Sequence, residues 1–361
     1  MGGRWSALPL LLLSAAGLAG GCGGNVPRER TVIASEALPA ESVQKPFEPP
    51  AGSVALSWRG PAREGSAWRL VLESSGERNA RAASELEDSP PFEESQLLEL
   101  EYTELPAGGG QANAWLARLD ALHYRLRQRG PDVQREIELG ADRLRMVSDG
   151  KVTLDLRGAQ PSGDLTPRKL LGQPFLLVAH DARGDPTSLQ QLGVPPARRF
   201  LKELPVREAM AFSRLPLPEE AVAPGARWGA ARFPPNAIGT AGLRLEVDYE
   251  LAGFAECGDR RCALVAIRAE LDGEGVRSAI GFSFERARAS LRGEASVELE
   301  SSRLVRMVLA DEARVAYSRG SASKAPIEQR LRYKDRLVLE SRAGEPPPTT
   351  WMDGSTRFGP R

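Results

Sequence analysis

Between residues 53 and 342 the chain is written mostly in short alternations of apolar and polar side chains. That period-two pattern marks strands with one face on a core and the other in water. Leu98-Glu99-Leu100-Glu101-Tyr102 alternates cleanly, and Leu245, Val247 and Tyr249 stand against Glu246, Asp248 and Glu250. Residues 54–58 and 68–72 predict two strands joined by a polar turn, and residues 136–139 and 144–147 predict two more. Asp149-Gly150 followed by Val152-Thr153-Leu154-Asp155-Leu156 is a hairpin signal. Residues 115–126 fit either period, as a helix through Trp115, Leu119, Leu122 and Leu126 or as a strand through alternate positions. The strands around them and the Gly-rich turn before them favour a long strand. Strand patterns return at 243–251, 263–271, 277–286, 296–300, 304–309, 313–317 and 331–339, with Gly273, Gly275, Gly293 and Gly320 read as turns between several of them.

The exceptions to this pattern divide the chain. Residues 22–52 carry Pro27, Pro39, Pro46, Pro49 and Pro50 in a polar stretch with no apolar period, the composition of a flexible tether. Residues 197–212 have helical spacing through Phe200, Leu201, Leu204, Ala209 and Phe212, with Pro205 inside to kink or divide the helix. Pro216, Pro218 and Pro224 then mark a linker. Residues 343–361, with Pro346-Pro347-Pro348, predict a frayed tail. The expected layout is a signal segment at 1–21, a tether at 22–52 and an N-terminal β half at 53–194. A helix and Pro-rich linker at 195–224, a C-terminal β half at 225–342 and the tail complete it.

The first 22 residues state where the chain goes. Arg4 precedes an apolar run through Leu10, Leu11, Leu12 and Leu13, and small residues lead to Cys22. That is the layout of a secretory signal peptide, too short to span a bilayer as a helix. Leu18-Ala19-Gly20-Gly21-Cys22 resembles the lipobox of bacterial lipoproteins, with Ala19 where that family prefers Leu. The resemblance implies lipid attachment at Cys22. Gly23, in place of a retaining aspartate, implies an outer-membrane, periplasm-facing location. Ordinary secretory cleavage near residues 19–21 is the alternative.

Composition narrows the chemistry. Of 361 residues, 48 are basic and 48 acidic, so no bulk field favours nucleic acid. Two His and three Cys exclude a multi-His metal enzyme and a disulfide-dense scaffold. With Cys22 taken by lipid, Cys257 and Cys262 remain as a pair in an oxidising compartment. Four residues separate them between two strand patterns, the spacing of a disulfide across a hairpin. His180-Asp181 is the one His–carboxylate neighbour pair, at the end of the apolar run Phe175-Leu176-Leu177-Val178. Adjacent strand residues point to opposite faces, so the two are not expected to form a dyad. No G-x-S-x-G elbow accompanies them. The S-x-x-K matches Ser42–Lys45 and Ser321–Lys324 lack the companion elements of penicillin-recognising enzymes, and the acidic stretch 85–101 lacks calcium-loop spacing. Only six of the basic residues are Lys, and the arginines are interleaved with acids, as on a solvated sheet face.

The junction Leu215-Pro216-Leu217-Pro218 … Val222 … Pro224-Gly225 … Trp228, with Leu291-Arg292-Gly293-Glu294 further on, resembles a group of β-rich bacterial envelope lipoproteins of unassigned activity. The resemblance implies a two-part β fold. The expectation is therefore a mainly β chain of antiparallel sheets forming a curved sandwich or open barrel-like body in two halves, with one short helical insertion. Its expected role is non-catalytic, structural or binding, in the periplasm. Neither cofactor nor metal is expected. The partners are the membrane, through the anchor, and an apolar ligand or envelope protein. The alternative is an envelope hydrolase using His180 or an unrecognised carboxylate site.

Overall fold

The computed structural model describes residues 53–56, 66–82, 92–107, 114–131, 133–140, 143–157, 170–181, 183, 186–193, 204–211, 214–232, 243–277, 283–319 and 327–342. Residues 1–52, with Cys22 and the tether, lie outside that set, as do the tail 343–361 and both S-x-x-K matches. The described strands are β1 (Ala67–Ala82), β2 (Phe92–Pro106), β3 (Ala114–Arg129), β4 (Gln134–Leu139), β5 (Arg143–Ser148), β6 (Lys151–Arg157), β7 (Pro174–His180) and β8 (Pro186–Gln191). A six-residue helix α1 (Val206–Ala211) follows, starting directly after Pro205, where proline's missing N–H costs nothing. Then come β9 (Arg227–Arg232), β10 (Leu245–Cys257), β11 (Arg260–Arg277), β12 (Ser283–Glu298), β13 (Leu304–Arg319) and β14 (Ile327–Arg342).

All fourteen strands belong to one open antiparallel sheet. Its main path runs β6-β5-β4-β3-β2-β1-β14-β13-β12-β11-β10-β9. The ambiguous segment at 115–126 is indeed strand, and β3 forks: its first residues pair with β7 and its last with β4. N-terminal and C-terminal strands are one sheet because β1 pairs with β14 along its whole length.

The alternation puts apolar side chains on one face across the entire path. One transverse row reads Tyr249, Ile267, Gly293, Leu309, Leu337, Leu72, Leu98 and Tyr124. Apart from the glycine, every side chain in it is buried. The opposite face carries charged pairs across strands, such as Arg288 with Asp272 at 3.0 Å and Arg306 with Glu340 at 3.2 Å. Exposed pairs of this kind contribute at most about 1 kcal/mol each, so the inner face carries the stability.

The sheet curls. From β9 to β7 there are nine inter-strand steps, about 43 Å if laid flat. Yet the Arg183 guanidinium, just past β7, donates to Leu217 O and to Gly229 O on β9, each at 3.3 Å. The segment 214–218 lies between the two as a strap. Leu217 N bonds Arg183 O, Trp228 Nε1 donates to Pro216 O at 2.7 Å, and Arg232 donates to Arg214 O.

Several expectations differ from what is found. Residues 54–56 do not form a hairpin with β1; Val54 makes an isolated bridge to Val222, and β1 pairs with β2 and β14. The segments 277–286 and 296–300 do not form separate strands, since β12 runs unbroken from Ser283 to Glu298; β13 likewise joins 304–309 to 313–317. Gly273, Gly275 and Gly293 sit inside strands, not at turns, and Gly320 lies outside the described residues.

Candidate functional site

A disulfide joins Cys257 and Cys262 across the β10–β11 turn, with Cα atoms 6.0 Å apart. Gly258 there has φ +67°, which suits a residue without a Cβ. Cys262 is fully buried and Cys257 half-buried, and the bond between them clamps a corner of the sheet.

His180 ends β7 in the buried interior. Its Nδ1 meets the backbone carbonyl of Asp181 at 3.0 Å, while the Asp181 carboxylate turns away to accept from Arg183 N at 2.8 Å. Burial above all, with the nearby Arg214 charge, holds the imidazole below its ordinary pKa, and the Asp181 carbonyl and carboxylate charge oppose this only in part. A neutral, enclosed imidazole is a packing residue unless a substrate reaches it.

Arg214 organises that region. Its guanidinium pairs with the buried Glu104 carboxylate of β2 and stacks over Trp115 and Trp68, at 4.9 and 5.9 Å from the ring centroids. Trp115 is in turn stacked with Tyr102. The strap is thus fastened to the inner face of β1–β3 by a charge pair between aromatic rings, where cation–π attraction adds to the Coulomb term. Arg214 immediately precedes the junction whose leucine–proline spacing stands out in the sequence, but nothing in a lone Arg announces this role.

On the outer face His123 lies directly opposite Glu99, Nδ1 to Oε2 2.9 Å, and Glu99 also takes Arg69 at 3.2 Å. Partial burial pushes the Glu99 carboxyl up, but the bonds from His123 and Arg69 outweigh it and hold it below its ordinary range. The next strand over, β1, presents Val71 to this pair, so no nucleophile flanks it there.

The remaining polar group is unexpected. Asp311 of β13 and Asp335 of β14 stand directly opposite each other on the apolar inner face, with Ser74 of β1 next in the row. Burial raises both carboxyls, and the neighbouring Asp335 raises Asp311 further. Neither residue stands out in its own stretch of sequence.

Among the described residues no group of three or more His, Cys, Asp or Glu is placed to hold a metal ion. None of their helices is long and apolar enough to cross a membrane, which says nothing about strands.

No family model matches the chain, and no curated protein matches it. Among solved structures it is similar to one described as "lipid-protein interactions in lipovitellin", at 8% identity and a TM-score of 0.41, over 82% of this chain and 26% of that one. The chain therefore spans about a quarter of the length of that protein. Weaker matches are the outer membrane protease OmpT from Escherichia coli and the Pseudomonas putida toluene transporter TodX. OmpT has 7% identity and a TM-score of 0.16, over 80% of this chain and all of that one. TodX has 10% identity and a TM-score of 0.15, over 79% and 92%.

Proposed function

We propose that the chain is a lipid-anchored protein of the bacterial outer membrane, facing the periplasm, whose curled sheet is a non-catalytic binding body for an apolar molecule. The anchor rests on the apolar run and small residues ahead of Cys22. One acyl chain binds a membrane only marginally, whereas the several carried by a lipoprotein cysteine hold it there stably.

The observation that carries the binding reading is a change along the inner face. At β1, β2, β13 and β14 it is sealed, with Leu70, Leu100, Leu309 and Leu339 inaccessible to solvent. On the β4–β6 extension the same face continues through Leu144, Met146, Leu154 and Leu156, which remain partly open. An apolar ligand laid there would extend the core and remove that area from water.

Native mass spectrometry of the full chain extracted from membranes in mild detergent tests this. A bound acyl-chain or other apolar molecule is expected, with several-fold lower occupancy in Leu156→Asp. A ligand-free wild type, or a variant with unchanged occupancy, rejects the reading. Cys22→Ala should move the protein from the membrane to the soluble periplasmic fraction; persistence in the membrane rejects the anchor.

The hydrolase alternative gains the Asp311–Asp335 pair as a motive, but both carboxylates are sealed on the packed part of the face. A general acid must reach the bond it protonates, and this pair is enclosed by side chains that substrate would have to displace.

A further inference from the structure

Across β13, β14 and β1 one row of the inner face breaks the apolar pattern. Asp311, Asp335 and Ser74 are only 6%, 3% and 4% exposed. Leu291 stands beside Asp311 on β12, and the flanking rows bring Leu309 with Leu337 on one side and Ala313 with Tyr333 on the other. Asp311 Oδ1, both Asp335 carboxylate oxygens and Ser74 Oγ make no hydrogen bond of standard geometry. Ser74 lies close enough to ease the charge on Asp335, and among the described residues no Arg, Lys or His acts on either carboxyl. Two carboxylates at cross-strand distance, desolvated and without a cation, cannot both ionise without heavy cost, whereas one proton held between them supplies a donor where there is otherwise none.

We propose that Asp311 and Asp335 share a proton in the native protein and act as a pH-set lock on the sheet. With the proton bound, the pair holds β13 and β14 in register. Loss of that proton to solvent leaves two facing charges that push the strands apart and loosen the inner face. The inference is independent of the apolar-ligand reading, since it concerns the sealed centre of the face and not β4–β6.

The sign follows from linkage. Native carboxyls titrating above the unfolded value, about 3.9 for Asp, mean that the folded state binds more protons than the unfolded chain. The stabilisation is complete below that unfolded value and drains away as pH rises through the native titration of the pair.

The test is the melting temperature of the full mature chain from about pH 5 to about pH 9. Wild type should melt progressively lower toward alkaline pH. Asp335→Asn, whose amide can donate to the remaining carboxylate, should melt roughly 2–4 °C above wild type at the alkaline end. The double variant Asp311→Asn/Asp335→Asn should show the flattest profile. Slopes identical in wild type and double variant overturn the proposal. If the variants fail to fold, the infrared spectrum of the wild type at neutral pH decides. A protonated-carboxyl band that disappears on alkalinisation upholds the shared proton, and its absence overturns it.

Discussion

At the residue scale, the inner face tolerates its exceptions for different reasons. Gly293 lies in the middle of β12, where a Cβ would sit 2.3 Å from Val308 O and 2.5 Å from Leu309 Cδ2. The first of these is backbone of the paired strand, so relief requires moving β13 and not merely turning a side chain. Gly293→Ala is expected to destabilise the protein by about 1–3 kcal/mol, read as a fall in denaturation midpoint. Gly253, at the bulge in β10, has open space where its Cβ would go. Gly253→Ala should therefore be near neutral or slightly stabilising, through the unfolded chain. Equal losses at both positions would show that glycine's backbone freedom, not close strand approach, sets the cost. Arg214 is a different exception. Its charge is buried with that of Glu104, and the desolvation cost of such a pair is offset only while both partners remain.

At the scale of elements, the β10–β11 hairpin is closed by Cys257–Cys262 over a sequence separation of five. Loop-closure entropy for so short a ring amounts to about 2 kcal/mol. Reduction should therefore lower the denaturation midpoint by a corresponding amount without dissolving the sheet, because β11 is also paired with β12 along most of its length. A reduced protein with an unchanged midpoint would remove the disulfide from the stability of this corner. This hairpin was legible in the sequence because both signals, cysteine spacing and flanking alternation, are local. The Asp149-Gly150 turn was legible for the same reason, whereas residues 115–126 fitted both periods and only their neighbours favoured strand. Strand length was not. Gly293 in β12 and Asp311 in β13 interrupt the alternation and read as breaks, yet each sits on the inner face for a reason supplied by a neighbouring strand. The site residues divide along the same line. His180 at a strand end was visible in its own segment, whereas Asp311, Asp335 and Arg214 acquire meaning only through partners 24 or more residues away.

For the molecule as a whole, the curled path concentrates burial at its centre and leaves one wing thin. β1, β13 and β14 are paired on both edges, and in their central rows the inner side chains are sealed, from Leu70 to Ser74, Met307 to Val315 and Tyr333 to Leu339. β6 ends the path, with exposed residues along most of its length and Val152 at 55% exposure beside a bulge in its pairing with β5. A bulge and short length on a terminal strand also discourage edge-to-edge pairing with other chains. Local opening free energy follows buried apolar contact and the exposure of backbone hydrogen bonds, so opening should be graded along the path. Amide hydrogen exchange is expected to be fastest in β6 and β5, slower in β4, and slowest in β1, β13 and β14. Exchange in β6 as slow as in β13 would contradict this gradient and would mean that the wing is covered in solution. The same measurement connects the gradient to binding. Apolar material on Leu144, Met146, Leu154 and Leu156 must slow exchange in β4–β6 while leaving the sealed centre unchanged, because that centre has no exposed apolar area left to bury.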